Sequence, residues 1–427
     1  MNRVASTVPL SGAEGVGDGR SLKASLNRAL RRQKLKALAL ILPLLVFVLL
    51  TFVAPVVSML LRSVDNAVVP QTLPLTVEAL EGWDSDSDRP PGEAVFAALA
   101  ADLKTAVAAR RHMQLGGRLN YERTGTSSLF RKTGRRVAKW DLAADAPFAE
   151  KFEKIDKDWV DPDFWRLLVA YSGENTSGYF LNAVDMQWGE EGIELRGENE
   201  RIYLLLLERT LFMSLMITLL CLLLGYPVAW LLSSLSLRAS NILLILVLLP
   251  FWTSLLVRTS AWKVLLQQQG VINDVLVWAG LVADENRLAL INNQTGTIIA
   301  MTHILLPFMI LPLYSVMKTI SPTYLRAAKS LGASDTTAFL QIYLPQTVPG
   351  IGAGSILVFI LSIGYYITPE LVGGTDGVFI SNRIAYHIST SLNWGLAAAL
   401  GVMLLVLVLA LYWAYDRIVG IDNVKLG

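Results

Sequence analysis

The stretch Tyr324-Leu-Arg-Ala-Ala-Lys-Ser-Leu-Gly-Ala-Ser-Asp-Thr-Thr-Ala-Phe-Leu-Gln-Ile-Tyr-Leu-Pro345 lies between two strongly apolar segments, Leu288–Met317 and Thr336–Pro369. Ser321 is placed to cap a helix that has Pro322 in its first turn. Ala327, Ala328, Leu331 and Phe339 favour a short helix, and Pro345 ends it or begins the next one. Its charges are few: Arg326, Lys329 and Asp335. A short amphipathic helix between two membrane spans offers a handle to a soluble partner.

The apolar segments on either side belong to a wider pattern. Of 427 residues, 53% are hydrophobic and 17% charged, against about a quarter charged in an average soluble domain. The excess falls in blocks long enough to span a bilayer. Six spans are predicted: Leu38–Leu61, Thr210–Leu237, Ala239–Val257, Leu288–Met317, Thr336–Pro369 and Ile384–Tyr415, the last entering the membrane near Trp394. Backbone groups in lipid must be satisfied within each segment, so the spans are helices and the fold class is an all-α polytopic membrane protein. The basic residues Arg20 to Lys36, then Arg238, Lys318, Arg326, Lys329, Arg417 and Lys425, fall on one side, which places both termini in the cytoplasm. A signal peptide is the competing reading of Leu38–Leu61, but the run is too long for one. The single cysteine, Cys221, sits in an apolar block and reads as a packing residue.

The chain divides into a basic N-terminal tail (1–37), read as mostly disordered, a first span (38–61), an extracytoplasmic insertion (62–204), a five-span domain (205–419) and a short C-terminal tail (420–427). Between Arg62 and Tyr203 lie 18 Lys/Arg and 24 Asp/Glu, a net charge of −6. Helices are expected near Ala94–Ala109, Phe148–Lys157 and Pro162–Tyr171, and paired strands within Gln187–Arg196. The alternating Asp84, Asp86 and Asp88 read as a solvated acidic turn, because the Gly and distal Glu of a Ca²⁺ loop are missing from their places. The basic cluster at Arg131–Arg136 has no interleaved aromatics, so no nucleic-acid partner is expected.

No phosphate-binding loop, nucleophile elbow, zinc motif or Cys/His ligand set occurs. His112, His303 and His387 are far apart in the chain. The chain therefore reads as a non-catalytic subunit with no metal and no cofactor of its own. Gly350 and Gly354 form a small-residue face for close helix packing. Arg258, near the outer end of the third span, reads as an interfacial residue whose side chain reaches toward water. Trp252, Tyr365, Tyr366 and Glu370 are candidates for a substrate pathway. The tyrosines offer π faces and Glu370 a counter-charge to an organic cation, and an aromatic belt is the plainer alternative.

Ala327-Ala328, Gly332 and Ile342-Tyr-Leu-Pro345 match the Glu-Ala-Ala…Gly…Ile-x-Leu-Pro loop of ABC-importer permeases, with Arg326 at the usual Glu. Together with Pro250-Phe-Trp-Thr-Ser-Leu-Leu-Val-Arg-Thr-Ser-Ala-Trp262, Leu306-Pro-Phe-Met-Ile-Leu-Pro312 and Gly364-Tyr-Tyr-Ile-Thr-Pro-Glu-Leu-Val-Gly-Gly374, the chain resembles spermidine/putrescine-type permeases over about Arg209–Tyr415. The resemblance implies the six-helix fold of type I ABC importers with an unusually long first outer loop. It also implies a bacterial inner-membrane location and a coupling helix at 322–340, with Arg326, Ala327, Ala328, Gly332 and Asp335 facing an ATPase. The implied partners are an ATPase dimer that binds the ATP-Mg, a second and related permease chain, a periplasmic solute-binding protein and membrane lipid. The implied cargo is a polyamine-like solute, and related permeases carry opines, phosphonates or ferric ions. A channel or ion-gradient carrier is the reading from another class, disfavoured because no carboxylate lies inside a span and no internal repeat is visible.

Overall fold

A computed structural model describes residues 19–189 and 192–419. The tail over 420–427 and residues 1–18 of the basic tail lie outside the described residues. The chain falls into two units, Met1–Met59 and Leu60–Gly427.

The first unit holds a helix, α1 (Gly19–Val48), followed by a π-helical turn at Leu49–Val53 and most of a further helix, α2 (Ala54–Leu61), whose last two residues fall in the second unit. From Gly19 onward the basic segment is therefore helical, not disordered. Its Leu, Ala, Arg and Lys residues are strong helix formers, and a helix already committed to span a bilayer extends through them at little cost. The wide turn stands just ahead of Pro55, which has no N–H to carry the ladder. No residue of α2 is buried.

The second unit opens with the insertion. Its helices are α3 (Val68–Thr72), α4 (Pro74–Leu80), α5 (Glu93–Ala108), α6 (His112–Leu119), α7 (Thr126–Val137), α8 (Phe148–Ile155), α9 (Pro162–Ala170) and α10 (Gly178–Ala183). A hairpin follows, β1 (Met186–Gly189) antiparallel to β2 (Gly192–Leu195), with Gln187 opposite Glu194. The expected helices and strands are thus present within a few residues. Their core is aromatic: Phe96, Phe130, Phe152, Trp159, Phe164 and Trp165 are almost wholly buried. Trp159 meets Phe164 edge-on at 5.0 Å, and Phe96 meets Trp165 at 5.1 Å. The indole N–H groups are satisfied, Trp159 donating to Thr133 Oγ1 (2.9 Å) and Trp165 to the Trp159 carbonyl (2.8 Å). Buried Asp102 accepts from the backbone and hydroxyl of Thr76, both at 2.7 Å, and so caps α4. Burial raises its pKa against the lowering pull of those bonds.

The remaining helices are α11 (Tyr203–Ser234), α12 (Leu237–Leu248), α13 (Leu255–Leu265), α14 (Val271–Trp278), α15 (Gln294–Thr319), α16 (Pro322–Ser330), α17 (Asp335–Ala338), α18 (Leu344–Gly364), α19 (Ile367–Val372), α20 (Ile380–Ser389) and α21 (Trp394–Val419). Five helical runs suffice to cross a membrane: Leu30–Leu61, Tyr203–Ser234, Gln294–Thr319, Asp335–Gly364 and Trp394–Arg417. The third predicted span, Ala239–Val257, is not one straight helix. It is a pair, Leu237–Trp252 and Leu255–Leu265, bent by 93°. Pro250 sits in a 3-10 turn, and Ser254 caps the new helix by accepting from Val257 N (3.2 Å). The span predicted from Leu288 begins only at Gln294, because Asn293 accepts from Gly296 N (2.9 Å) and starts the helix there. The span predicted to Pro369 ends at Gly364, with α19 separate. α11, α15 and α18 form the centre, sharing Met213, Ile217, Leu305, Met309, Leu313 and Val358. Gly350 and Gly354 let α18 press against Leu313 and Met309 of α15.

Candidate functional site

The loop predicted to contact a motor is built from two helices and a tight turn. Ser321 caps α16, accepting from Thr323 N (3.3 Å), with Pro322 in the first turn. The end of α16 is a Schellman motif: Ala333 N donates to Ala328 O and Gly332 N to Lys329 O, both at 3.0 Å. Gly332 has φ +91°, the left-handed region that glycine enters without penalty. Ser334 then caps α17 by accepting from Thr337 N (3.2 Å). The predicted single helix over 322–340 is therefore two helices hinged at Leu331–Ser334. From Asp335 the chain runs as one helix to Gly364, through a π-helical turn at Phe339–Tyr343. Pro345 stands in the first turn of α18, at the start of that helix. It follows the wide turn, which absorbs the missing N–H and the crowding of its ring.

Arg326, Ala327, Gly332 and Asp335 are exposed and Ala328 is half-buried. Lys329 and Asp335 bridge the turn at 2.5 Å, both open to solvent, so the pair adds little stability. Arg326 has no carboxylate partner among the described residues. Leu331 is 90% exposed and Tyr324 55%. In the sequence Leu331 counts only among the residues that favour the short helix. In the structure it is an uncovered apolar side chain at the tip of the loop, and only the Schellman geometry reveals this.

The pathway candidates come together in part. Tyr365 and Tyr366 occupy the break between α18 and α19. Ser381 Oγ donates to Tyr365 O (2.5 Å), and Asn382 Nδ2 donates to Tyr366 O (2.9 Å) and Glu370 Oε2 (2.6 Å). Glu370 is exposed and has no cationic partner among the described residues. Thr259 on α13 meets Thr368 on α19 at 3.1 Å, which ties the bent pair to the same region. Trp252 lies at the bend, 77% exposed, with no hydrogen bond or ring contact to Tyr365, Tyr366 or Glu370 among the described residues. Arg258 does not reach freely to water. Its Nε and Nη1 are enclosed without an acceptor, and its guanidinium lies 5.7 Å from the Phe251 ring centroid. His303 Nδ1 accepts from Trp262 Nε1 at 3.1 Å, but the side chain is exposed, so it is hydrogen-bonded without being a core histidine.

The insertion is joined to this helical core by buried polar groups. Asp185, wholly buried, accepts from the N–H groups of Ile202 (3.1 Å), Tyr203 (3.1 Å) and Leu204 (2.7 Å). Three donors of the α11 N-terminus are thus met by one carboxylate, the charge that end of a helix prefers. Tyr203 Oη meets His387 Nε2 at 3.0 Å, and His387 Nδ1 meets Ser391 Oγ at 2.8 Å. Burial, with the nearby Arg383, pushes the His387 pKa down to about 4.

Residues 209–419 match the family described as binding-protein-dependent transport system inner membrane component. The spermidine/putrescine transport system permease protein PotB of Escherichia coli is 36% identical over 222 residues, covering 51% of this chain and 80% of that protein. The chain belongs to this family. It is thus a multi-pass inner-membrane permease of an ABC importer, a transport subunit. The inner membrane ABC transporter permease protein YdcU of E. coli is 34% identical over 224 residues, covering 50% of this chain and 70% of that protein. A solved bacterial alginate ABC transporter chain aligns with a TM-score of 0.43 at 19% identity, over 53% of this chain and 81% of its own. The family match begins at residue 209, after the insertion, and it includes every coupling and pathway candidate named above.

Proposed function

We propose that this permease moves a polyamine-like organic cation inward across the bacterial inner membrane, driven by a separate ATPase dimer that binds the ATP-Mg. The observation that carries the reading is the similarity to spermidine/putrescine permeases across 80% of the E. coli protein. Glu370, an exposed carboxylate without a cationic partner among the described residues, beside the π faces of Tyr365 and Tyr366, supplies the attraction a polycation needs. A periplasmic binding protein delivers the solute, and a second, related permease completes the pathway. Both termini and the α16–α17 loop face the cytoplasm, where Leu331 and Tyr324 enter a cleft of the ATPase. ATP binding moves the loop, and the rigid run from Asp335 to Gly364 carries the motion to the outer half. The motor acts only through a differential affinity for the two permease states.

The test is uptake of labelled spermidine into proteoliposomes holding the permease pair, the ATPase and the binding protein. ATP-dependent uptake that falls on Glu370→Gln supports the reading. ATP hydrolysis stimulated by the loaded binding protein with no spermidine uptake refutes the cargo but leaves the permease role intact. A second reading, a carboxylate- or phosphonate-bearing solute, draws on the unpaired Arg258 guanidinium; uptake of such a solute, lost on Arg258→Gln, decides for it.

A further inference from the structure

A cavity of about 630 Å³ lies between the insertion and the α20–α21 connection, away from the pathway candidates. The residues that give it chemistry are Arg62, Asp65, Arg118, Tyr179, Asn393 and Trp394. Arg118 is 7% exposed and stacked on Tyr179, its guanidinium carbon 4.1 Å from the ring centroid. Its Nη1 is bound by Glu122 at 2.5 Å, but Nε and Nη2 have no acceptor. Asn393 is 9% exposed; its Oδ1 accepts from Leu396 N (3.2 Å), and its Nδ2 has no partner. Buried donors left unpaired cost free energy until an acceptor arrives. Arg62 is exposed, has no carboxylate partner among the described residues, and lies 5.8 Å from the Trp394 ring centroid. Asp65 is exposed too, and its Oδ1 accepts only from Ala67 N.

The cavity is thus lined by two guanidiniums and by one carboxylate without a counter-charge among the described residues, with unpaired donors of Arg118 and Asn393 enclosed in its wall. Glu122 neutralises Arg118, so Arg62 and Asp65 are the two open charges, of opposite sign. None of Trp252, Arg258, Tyr365, Tyr366 and Glu370 lines the cavity, so it is distinct from the cargo pathway under either reading of the cargo. The position narrows the ligand further. Arg62 directly follows Leu61, the last residue of the first apolar helix, and Trp394 begins the last apolar helix. Both are boundary positions, where tryptophan and arginine meet lipid headgroups.

We propose that this cavity binds a zwitterionic phosphoethanolamine group. The phosphate oxygens accept from Arg62 and, once their enclosed donors turn out of the cavity wall, from Arg118 and Asn393, and the ammonium donates to Asp65. The group arrives either as the headgroup of a membrane lipid or as the free ester. The full chain, purified in detergent and stripped of lipid, is titrated by calorimetry with dihexanoyl phosphatidylethanolamine, free phosphoethanolamine and dihexanoyl phosphatidylcholine. Both ethanolamine compounds are expected to bind, and the choline lipid more weakly because its quaternary nitrogen has no proton for Asp65. Tighter binding of the lipid assigns the lipid as source, and equal binding assigns the free ester; either supports the site. Arg62→Gln is expected to weaken binding about tenfold through loss of a charge-assisted bond. Asp65→Asn is expected to abolish the preference for ethanolamine over choline. Both side chains are exposed, and unchanged melting temperatures confirm folding. Absence of binding by all three compounds, or binding indifferent to both variants, overturns the proposal.

Discussion

Gly332 separates two explanations of how the α16–α17 loop works. A Cβ built on Gly332 meets nothing within 4 Å, so no steric clash within this chain opposes a side chain. The cost of replacement is conformational, set by φ +91°. For alanine that cost is about 1–2 kcal/mol. It lowers the population of the correctly turned loop by about 5- to 30-fold. Asparagine tolerates the left-handed region better than alanine although it is larger. β-Branched residues tolerate it least. If the turn positions Leu331 and α16, activity therefore orders as glycine, Gly332→Asn, Gly332→Ala, Gly332→Val. If the partner merely needs space at this position, Gly332→Ala outperforms Gly332→Asn. The assay is ATP-driven uptake in proteoliposomes, with ATPase activity of the complex read in parallel. Greater activity of the alanine variant than of the asparagine variant refutes the reasoning from backbone geometry.

Three further outcomes are expected. Asp185→Ala leaves three N–H groups at the start of α11 without their acceptor and lowers stability by about 3 kcal/mol, while Asp185→Asn costs less; thermal unfolding in detergent measures both. His387 has its folded pKa depressed, so the unfolded chain binds the extra proton first. The stabilising contribution of the neutral imidazole is present above about pH 6.5 and is lost as pH falls toward 4, amounting to about 3 kcal/mol. His387→Gln is expected to flatten the dependence of melting temperature on pH in that window. Leu331→Asp puts a charge on the uncovered loop tip and is expected to weaken ATPase association at least tenfold without altering the melting temperature of the permease alone, as pull-down and calorimetry would show.

The membrane spans were legible because a bilayer demands long uncharged runs, and those runs stand out even beside an acidic insertion. The bend at Thr253–Ser254 was not, since Ala239–Val257 is long and uncharged enough for one span. Its signals, Pro250 and Ser254, were present but weaker than the hydropathy. The helix from Gly19 is hidden by the polarity of the segment, although Leu, Ala, Arg and Lys are good helix formers when joined to a span. Of the loop, the cap, the proline and Gly332 were legible; the exposure of Leu331 depends on the fold of the turn around it. In the candidate pathway, Tyr365, Tyr366 and Glu370 are neighbours in sequence and remain so in space. The isolation of Trp252 and the enclosure of Arg258 follow from the bend. The capping of α11 by Asp185 had no local signature, because the carboxylate and its donors are separated by the hairpin.

The most direct measurement is the side of the membrane on which the loop lies. Cys221 is fully buried, so Ala328→Cys introduces one reactive thiol without a competing background. A membrane-impermeant maleimide is applied to right-side-out and to inverted vesicles, with and without the ATPase subunit. The expected result is labelling only in inverted vesicles, suppressed when the ATPase is bound. Labelling from the outer side, or labelling from the inner side that the bound ATPase leaves unchanged, contradicts a motor that grips this loop.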